Sequence, residues 1–179
     1  MSTPSYVIFL NGSYGVGKSS TLDHVGDLLA ERGMAFSLMD VDWFHRSWPP
    51  AEGDPENVLT EAENLAAVWQ NYRRTGPHQP VVAGVIAGER DRQRYEQVFA
   101  LPIRAVRLVA GTAVTNTRLR RRYTEHQDRA RIWHLQRHAE LSERLAGNDL
   151  DELVIVTDEL TPRSVAGLVV DYFGLLSPG

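Results

Sequence analysis

The chain has 179 residues, a formal net charge of −4 and 42% hydrophobic residues, which fits one compact domain with its own core and argues against a broad basic surface for nucleic acid. It contains no cysteine, so disulfides, zinc thiolates and thiol catalysis are excluded. No basic stretch precedes the short apolar run Tyr6 to Leu10, so the expectation is a cytoplasmic protein with neither signal peptide nor membrane span.

In chain order, Tyr6 to Leu10 reads as a buried strand, rich in β-formers and closed by Asn11-Gly12. Ser19 to Glu31 carries Leu22, Val25 and Leu29 at helical spacing and stops near Gly33. Ala35 to Met39 is a second strand. Asp40 to Pro55, with Pro49, Pro50, Trp43 and Trp48, reads as a loop with parts that face a substrate. Leu59 to Arg74 is a helix ended by Gly76-Pro77, and Pro80 to Ala87 is a third strand. Arg90 to Ala100 is helical, and Ile103 to Val109 is a fourth strand. Thr112 to Ala146 is helical in at least two pieces, with a break near Thr124 to Asp128. Leu153 to Thr157 is the fifth strand, and Thr161-Pro162 opens the last helix as cap and first-turn residue. Apolar strands alternating with helices are the pattern of a parallel sheet covered on both faces.

The chemistry starts at Gly12-Ser-Tyr-Gly-Val-Gly-Lys18-Ser19, which matches G-x-x-x-x-G-K-[ST] between a strand and an amphipathic helix. The glycines let backbone N–H groups curl toward one point, and the helix N-terminus that follows favours an anion. Gly12, Ser13, Tyr14, Gly15, Val16, Gly17, Lys18, Ser19 and Ser20 are therefore the candidate contacts to ATP. Lys18 would reach the β- and γ-phosphates and Ser19 would place its hydroxyl on Mg²⁺. Of the 19 Lys and Arg residues, Lys18 alone is lysine. Where the two cations are interchangeable the chain uses arginine; around phosphate, a compact ammonium and a planar guanidinium are not.

A GTPase switch needs a guanine-reading Asn-Lys-x-Asp, which a single lysine at position 18 rules out. Val154-Ile-Val-Thr-Asp158-Glu159 is the one apolar strand ending in Asp-Glu. It lies on the last strand, so it reads as a strand-to-helix turn near the adenine rather than a metal aspartate. These features resemble the small P-loop kinases: the nucleoside monophosphate kinase superfamily, with shikimate and gluconate kinases, adenylylsulfate kinase and chloramphenicol phosphotransferase. The resemblance implies an α/β/α sandwich on a five-stranded parallel sheet of order 2-3-1-4-5, forming one domain over 1–179. It also implies a helical lid and following helix within 111–146.

The resemblance assigns further roles. Asp40 and Asp42 follow the second strand, where such kinases carry a carboxylate facing the γ-phosphate. Asp42 is favoured as the base that deprotonates an attacking hydroxyl, and Asp40 as a Mg²⁺ or structural partner. Arg118, Arg120, Arg121 and Arg122 fall in the lid region, and Arg118 and Arg122 are the arginines set over the transferring phosphate. Trp43, Glu89 and Arg90, at the ends of the second and third strands, are candidate acceptor contacts. No acidic residue lies within Pro80 to Ala87, which shifts the Mg²⁺ shell onto Asp40 and Asp42.

Trp43, Phe44, His45 and Trp48 form either an acceptor-stacking cluster or a small hydrophobic plug under the loop. His134 and His138 are spaced i, i+4 without a zincin glutamate and read as surface residues. Trp69, Tyr72 and Trp133 sit on helices and read as core. The leading reading is ATP- and Mg²⁺-dependent phosphorylation of a hydroxyl on a small metabolite or antibiotic-like molecule. A nucleotide kinase stays open through Arg46, Arg73, Arg74 and Arg90, and so does an ATP-binding regulatory or resistance protein without turnover.

Overall fold

In a computed structural model the described residues are 4–122 and 128–175, without the side chains of 122 and 128–131. β1 (Val7–Asn11), β2 (Phe36–Asp40), β3 (Gln79–Ala83), β4 (Ile103–Val109) and β5 (Leu153–Val156) form one sheet of order β2-β3-β1-β4-β5. Every pairing is parallel, with Ile8 beside Val81 on one side and Arg104 on the other. The helices are α1 (Lys18–Ala30), α2 (Val58–Arg74), α3 (Glu89–Phe99), α4 (Thr112–Arg122), α5 (Asp128–Ala146) and α6 (Pro162–Tyr172). Among the described residues, no helix is long and apolar enough to cross a membrane.

Side-chain alternation along each strand divides the core into two layers. Ile8, Leu10, Val81, Val106 and Leu108 pack with Leu22, Val25 and Leu29 of α1 and Val165, Val169 and Val170 of α6. Val7, Phe9, Val82, Ile103 and Ala105 pack on the opposite face with Leu65 and Trp69 of α2 and Tyr95 and Phe99 of α3. Burial on both faces explains why the strands read as continuous apolar runs rather than alternating ones. Gly26 lets α1 lie close on β2, since a Cβ there would meet Leu38 Cδ1 at 2.7 Å.

Three sequence expectations are corrected. β3 stops at Ala83 rather than running to Ala87. Gly84 N–H still donates to Leu10 O, but the Asn11 side chain then takes both backbone groups of Ile86 in place of a neighbouring strand. Tyr72 and Trp133 are exposed rather than core. Asp40 to Pro55 is not wholly loop, because Val41–Trp43 forms one short 3-10 turn capped by the Asp40 carboxylate. The break expected between Thr124 and Asp128 falls outside the described residues, except that α5 starts at Asp128.

Candidate active site

The turn after β1 is built around glycine. Gly12 has φ +148, and a Cβ there would lie 2.6 Å from Leu108 O, so neither backbone nor space admits another residue. Gly15 and Gly17 also have positive φ, at 74 and 101. Asn11 anchors the base of this loop. Its Oδ1 accepts from Gly12 N and Ile86 N, each at 2.9 Å, and its Nδ2 donates to Ile86 O at 3.2 Å and Asp151 Oδ1 at 2.9 Å. Burial pushes the Asp151 carboxyl up, against the Asn11 hydrogen bond and the Arg107 charge.

Lys18 opens α1 and folds back over the loop, donating to Gly12 O at 2.8 Å and Ser13 O at 2.9 Å. Ser19 Oγ donates to Asp40 Oδ2 at 2.6 Å, and Asp40 Oδ1 accepts from Asp42 N at 3.1 Å. One carboxylate thus joins the loop after β1 to the turn after β2. Asp42 lines the same cleft as Lys18 and Ser19, a space of about 580 Å³ that continues past Arg118 and Thr157 to Leu160, Pro162 and Val165.

Ser19 Oγ and Asp40 form a hard-oxygen pair, which suits Mg²⁺ completed by phosphate and water rather than an all-protein cage. Among the described residues, no group of three or more His, Cys, Asp or Glu is placed to hold a metal by itself. Positive-φ glycines, a helix N-terminus and Lys18 make a concave cradle that fits a polyphosphate.

Arg118 is built into the cleft wall. Its Nη1 donates to Val16 O at 3.1 Å and Thr157 Oγ1 at 3.0 Å, and its Nη2 donates to Thr157 O at 2.7 Å. The guanidinium therefore sits between the P-loop and the end of β5. Arg120 and Arg121 are exposed, and the side chain of Arg122 lies outside the described residues. Asp158 accepts from Gly111 N at 2.8 Å, tying the turn after β5 to the turn after β4.

Trp43 is 70% exposed with Arg46 stacked over its ring, and Trp48 is 90% exposed. Of that aromatic group only Phe44 packs against the α2–α3 layer of the core. Glu89 and Arg90 are exposed in the first turn of α3 and do not line the cleft. Arg73 and Arg74 end α2, at the opposite end of the sheet from the P-loop. Lys18, Ser19, Asp40, Asp42 and Arg118 are thus brought together, whereas Glu89, Arg90, Arg73 and Arg74 are not.

The surface reading of His134 and His138 is also corrected. His138 is 3% exposed, and its Nδ1–H donates to Tyr14 O at 2.8 Å. Ser13 Oγ donates in turn to His138 O at 3.0 Å. His134 and Trp133 stand edge-on to the Tyr14 ring. The i, i+4 spacing was the available signal, but it marks one face of α5 docked on the P-loop rather than a metal site. Burial, and secondarily the Lys18 charge, hold the His138 imidazole below its ordinary value.

No protein-family model matches the chain, and no curated protein matches it in sequence. Solved structures do resemble it. The tunicamycin resistance protein of Deinococcus radiodurans superposes with a TM-score of 0.61 at 19% identity, covering 99% of this chain and 100% of that one. The APS kinase of Mycobacterium tuberculosis, in complex with AMPPNP and APS, gives 0.58 at 16% identity over 97% and 99%. Shikimate kinase from Acinetobacter baumannii gives 0.56 at 17% over 99% and 97%. Sheet order, P-loop placement and these near-full-length superpositions agree: the chain has the fold of the small P-loop kinases.

Proposed function

We propose that this chain is an ATP- and Mg²⁺-dependent phosphotransferase that moves the γ-phosphate onto a hydroxyl of a small acceptor. The observation that carries this is the relay Ser19–Asp40–Asp42. It sets a hard-oxygen pair at the P-loop and delivers a second carboxylate to the cleft beside Lys18. An alcohol is a poor nucleophile, and a carboxylate within reach positions it and takes its proton. Asp42 fills that role here, and Asp40 with Ser19 supplies the oxygens for Mg²⁺. Bound Mg²⁺ would neutralise charge on the phosphates.

The rest of the cleft fits the nucleotide. Arg118, Leu160 and Pro162 offer a partly apolar wall to a base, and Arg118 is already oriented by three acceptors. Of the arginines that kept a phosphate acceptor open, Arg73 and Arg74 end α2 away from the P-loop and Arg90 does not line this cleft, while Arg46 lies over Trp43 just after Asp42, so a nucleotide acceptor is the second reading to test. Kinases of the same fold support phosphoryl transfer as the reaction class.

An ATP-consumption screen against nucleosides, nucleotides, sugar acids and antibiotics tests the proposal and identifies the acceptor. Lys18→Ala should abolish transfer with the fold intact, and wild-type turnover in that variant would sink the assignment. Asp42→Asn should lower kcat by about 10²- to 10⁴-fold, the range for general-base catalysis, with ATP affinity nearly unchanged. Loss of ATP affinity alone would move Asp42 from base to Mg²⁺ support.

A further inference from the structure

The segment just after Asp42 is held by a polar stripe that the proposed reaction leaves unexplained. Glu61 and Asn64 are spaced three apart on one face of α2, and Asn57 is the residue that precedes that helix. Asn64 Nδ2 donates to Phe44 O at 2.8 Å, and Asn57 Nδ2 donates to Ser47 O at 3.1 Å. Between them, His45 Nδ1 lies 3.0 Å from Glu61 Oε2, and Tyr95 Oη donates to Glu61 Oε1 at 2.8 Å. Three side chains from α2 and the residue that caps it therefore grip residues 44, 45 and 47.

Glu61 is 7% exposed, and it stands in a core layer otherwise filled by Leu65, Trp69 and Phe99. Leaving a carboxylate there is costly unless it is paired. An ionised carboxylate only accepts, so His45 Nδ1 must carry a proton. Tyr95 stays a donor, because burial and the Glu61 charge push its hydroxyl far up. The His45 ring is 38% exposed, and its other nitrogen has no hydrogen-bond partner among the described residues.

We propose that His45 and Glu61 form a proton-linked positioning pair for phosphoryl transfer, in which buried Glu61 holds the protonated imidazole three residues beyond Asp42 and so fixes the turn that carries the catalytic carboxylate. This rests on the phosphotransfer reading of the cleft. Three charged groups bear on His45. Asp42 and Glu61 stabilise its positive charge, and the Glu61 hydrogen bond does so most strongly. Burial and Arg46 oppose it. Behind Glu61, Arg94 stacks on Tyr95 and pairs with Asp91 of α3. On the P-loop side, Tyr14 feels the Asp42 charge, and Arg137 of α5 acts on Tyr14 in the opposite sense. The balance leaves the imidazole above its ordinary value, so the cation persists closer to neutral pH. When it loses its proton, the Nδ1–H bond remains, but the charge-assisted part and the attraction on Asp42 are lost.

The experiment uses Mg·ATP with water as acceptor, together with an NMR titration of the His45 ring. In the wild type, kcat for hydrolysis should fall as pH rises through the His45 midpoint. Glu61→Gln should move both the midpoint and the falling limb to lower pH, toward about 6.5. It should cut kcat at pH 7 by up to about 10²-fold, the loss that a 1 Å misplacement of a catalytic group can cause, with KM for ATP unchanged. His45→Asn, at a more exposed position, should erase the falling limb. A wild-type profile without a step at the NMR midpoint would overturn the pair, as would superimposable wild-type and Glu61→Gln profiles or an effect confined to KM for ATP. The Lys18→Ala variant separates the two readings. Hydrolysis surviving in it refutes phosphotransfer at the P-loop. Hydrolysis lost in it, beside a wild-type profile with no step, refutes the positioning pair alone.

Discussion

Replacing Asn11 with alanine strands four partners at once. Gly12 N, Ile86 N, Ile86 O and Asp151 Oδ1 each lose a hydrogen bond, and Asn11 itself is fully buried. A buried polar group left unpaired costs about 1–3 kcal/mol, and some partners will relax together. The expected loss is therefore on the order of 4 kcal/mol, above the usual range for a point substitution. At roughly 2–4 °C per kcal/mol for a chain of this size, Tm should fall by roughly 8–16 °C, read by calorimetry and urea titration. ATP affinity should fall as well, since Asn11 Oδ1 sets the first N–H of the P-loop. Asn11→Asp sharpens the test. It sets a second carboxyl where Nδ2 met Asp151 Oδ1 at 2.9 Å, and two such carboxylates cannot both ionise cheaply. The folded variant then binds more protons than the unfolded chain, so its stability must fall as pH rises above the ordinary carboxyl range. A loss below about 1 kcal/mol for alanine, within ordinary surface variation, or a gap between Asn11→Asp and wild type that stays constant from pH 5 to pH 8, would refute the reasoning.

Arg118→Lys should raise KM for ATP about tenfold, because a point ammonium cannot serve Val16 O, Thr157 O and Thr157 Oγ1 together; steady-state kinetics over a range of ATP concentrations checks this. Thr161→Ala removes the acceptor for Ser164 N at the start of α6 and should cost about 1 kcal/mol in urea denaturation. Folding favours the neutral form of His138, so its contribution is present above the ordinary imidazole pKa and is lost as pH falls below it. Thermal stability should therefore drop on acidification below about pH 6.5, and His138→Asn should flatten that drop.

The part of this protein legible from sequence is the part whose determinants are contiguous. The P-loop is eight adjacent residues between a strand and a helix, and its glycine conformations follow from local sterics. The strands are apolar because both sheet faces are covered, so their order of appearance reads directly off the chain. Asp40 and Asp42 were singled out through the resemblance to the small P-loop kinases, and the structure sets them at the end of β2 and in the short turn that follows. The rest depends on pairs distant in sequence. Asn11 meets Ile86 and Asp151, 75 and 140 residues away, and so cuts β3 short. Arg118 is aimed by Thr157, and His138 by Tyr14. Glu61 reads like any charge on a helix until α3 and the turn after β2 close over it. Helical spacing places such residues on a face, but only the packed neighbour decides whether that face meets water, the core or the P-loop, because burial and hydrogen-bond partners are set by the third dimension.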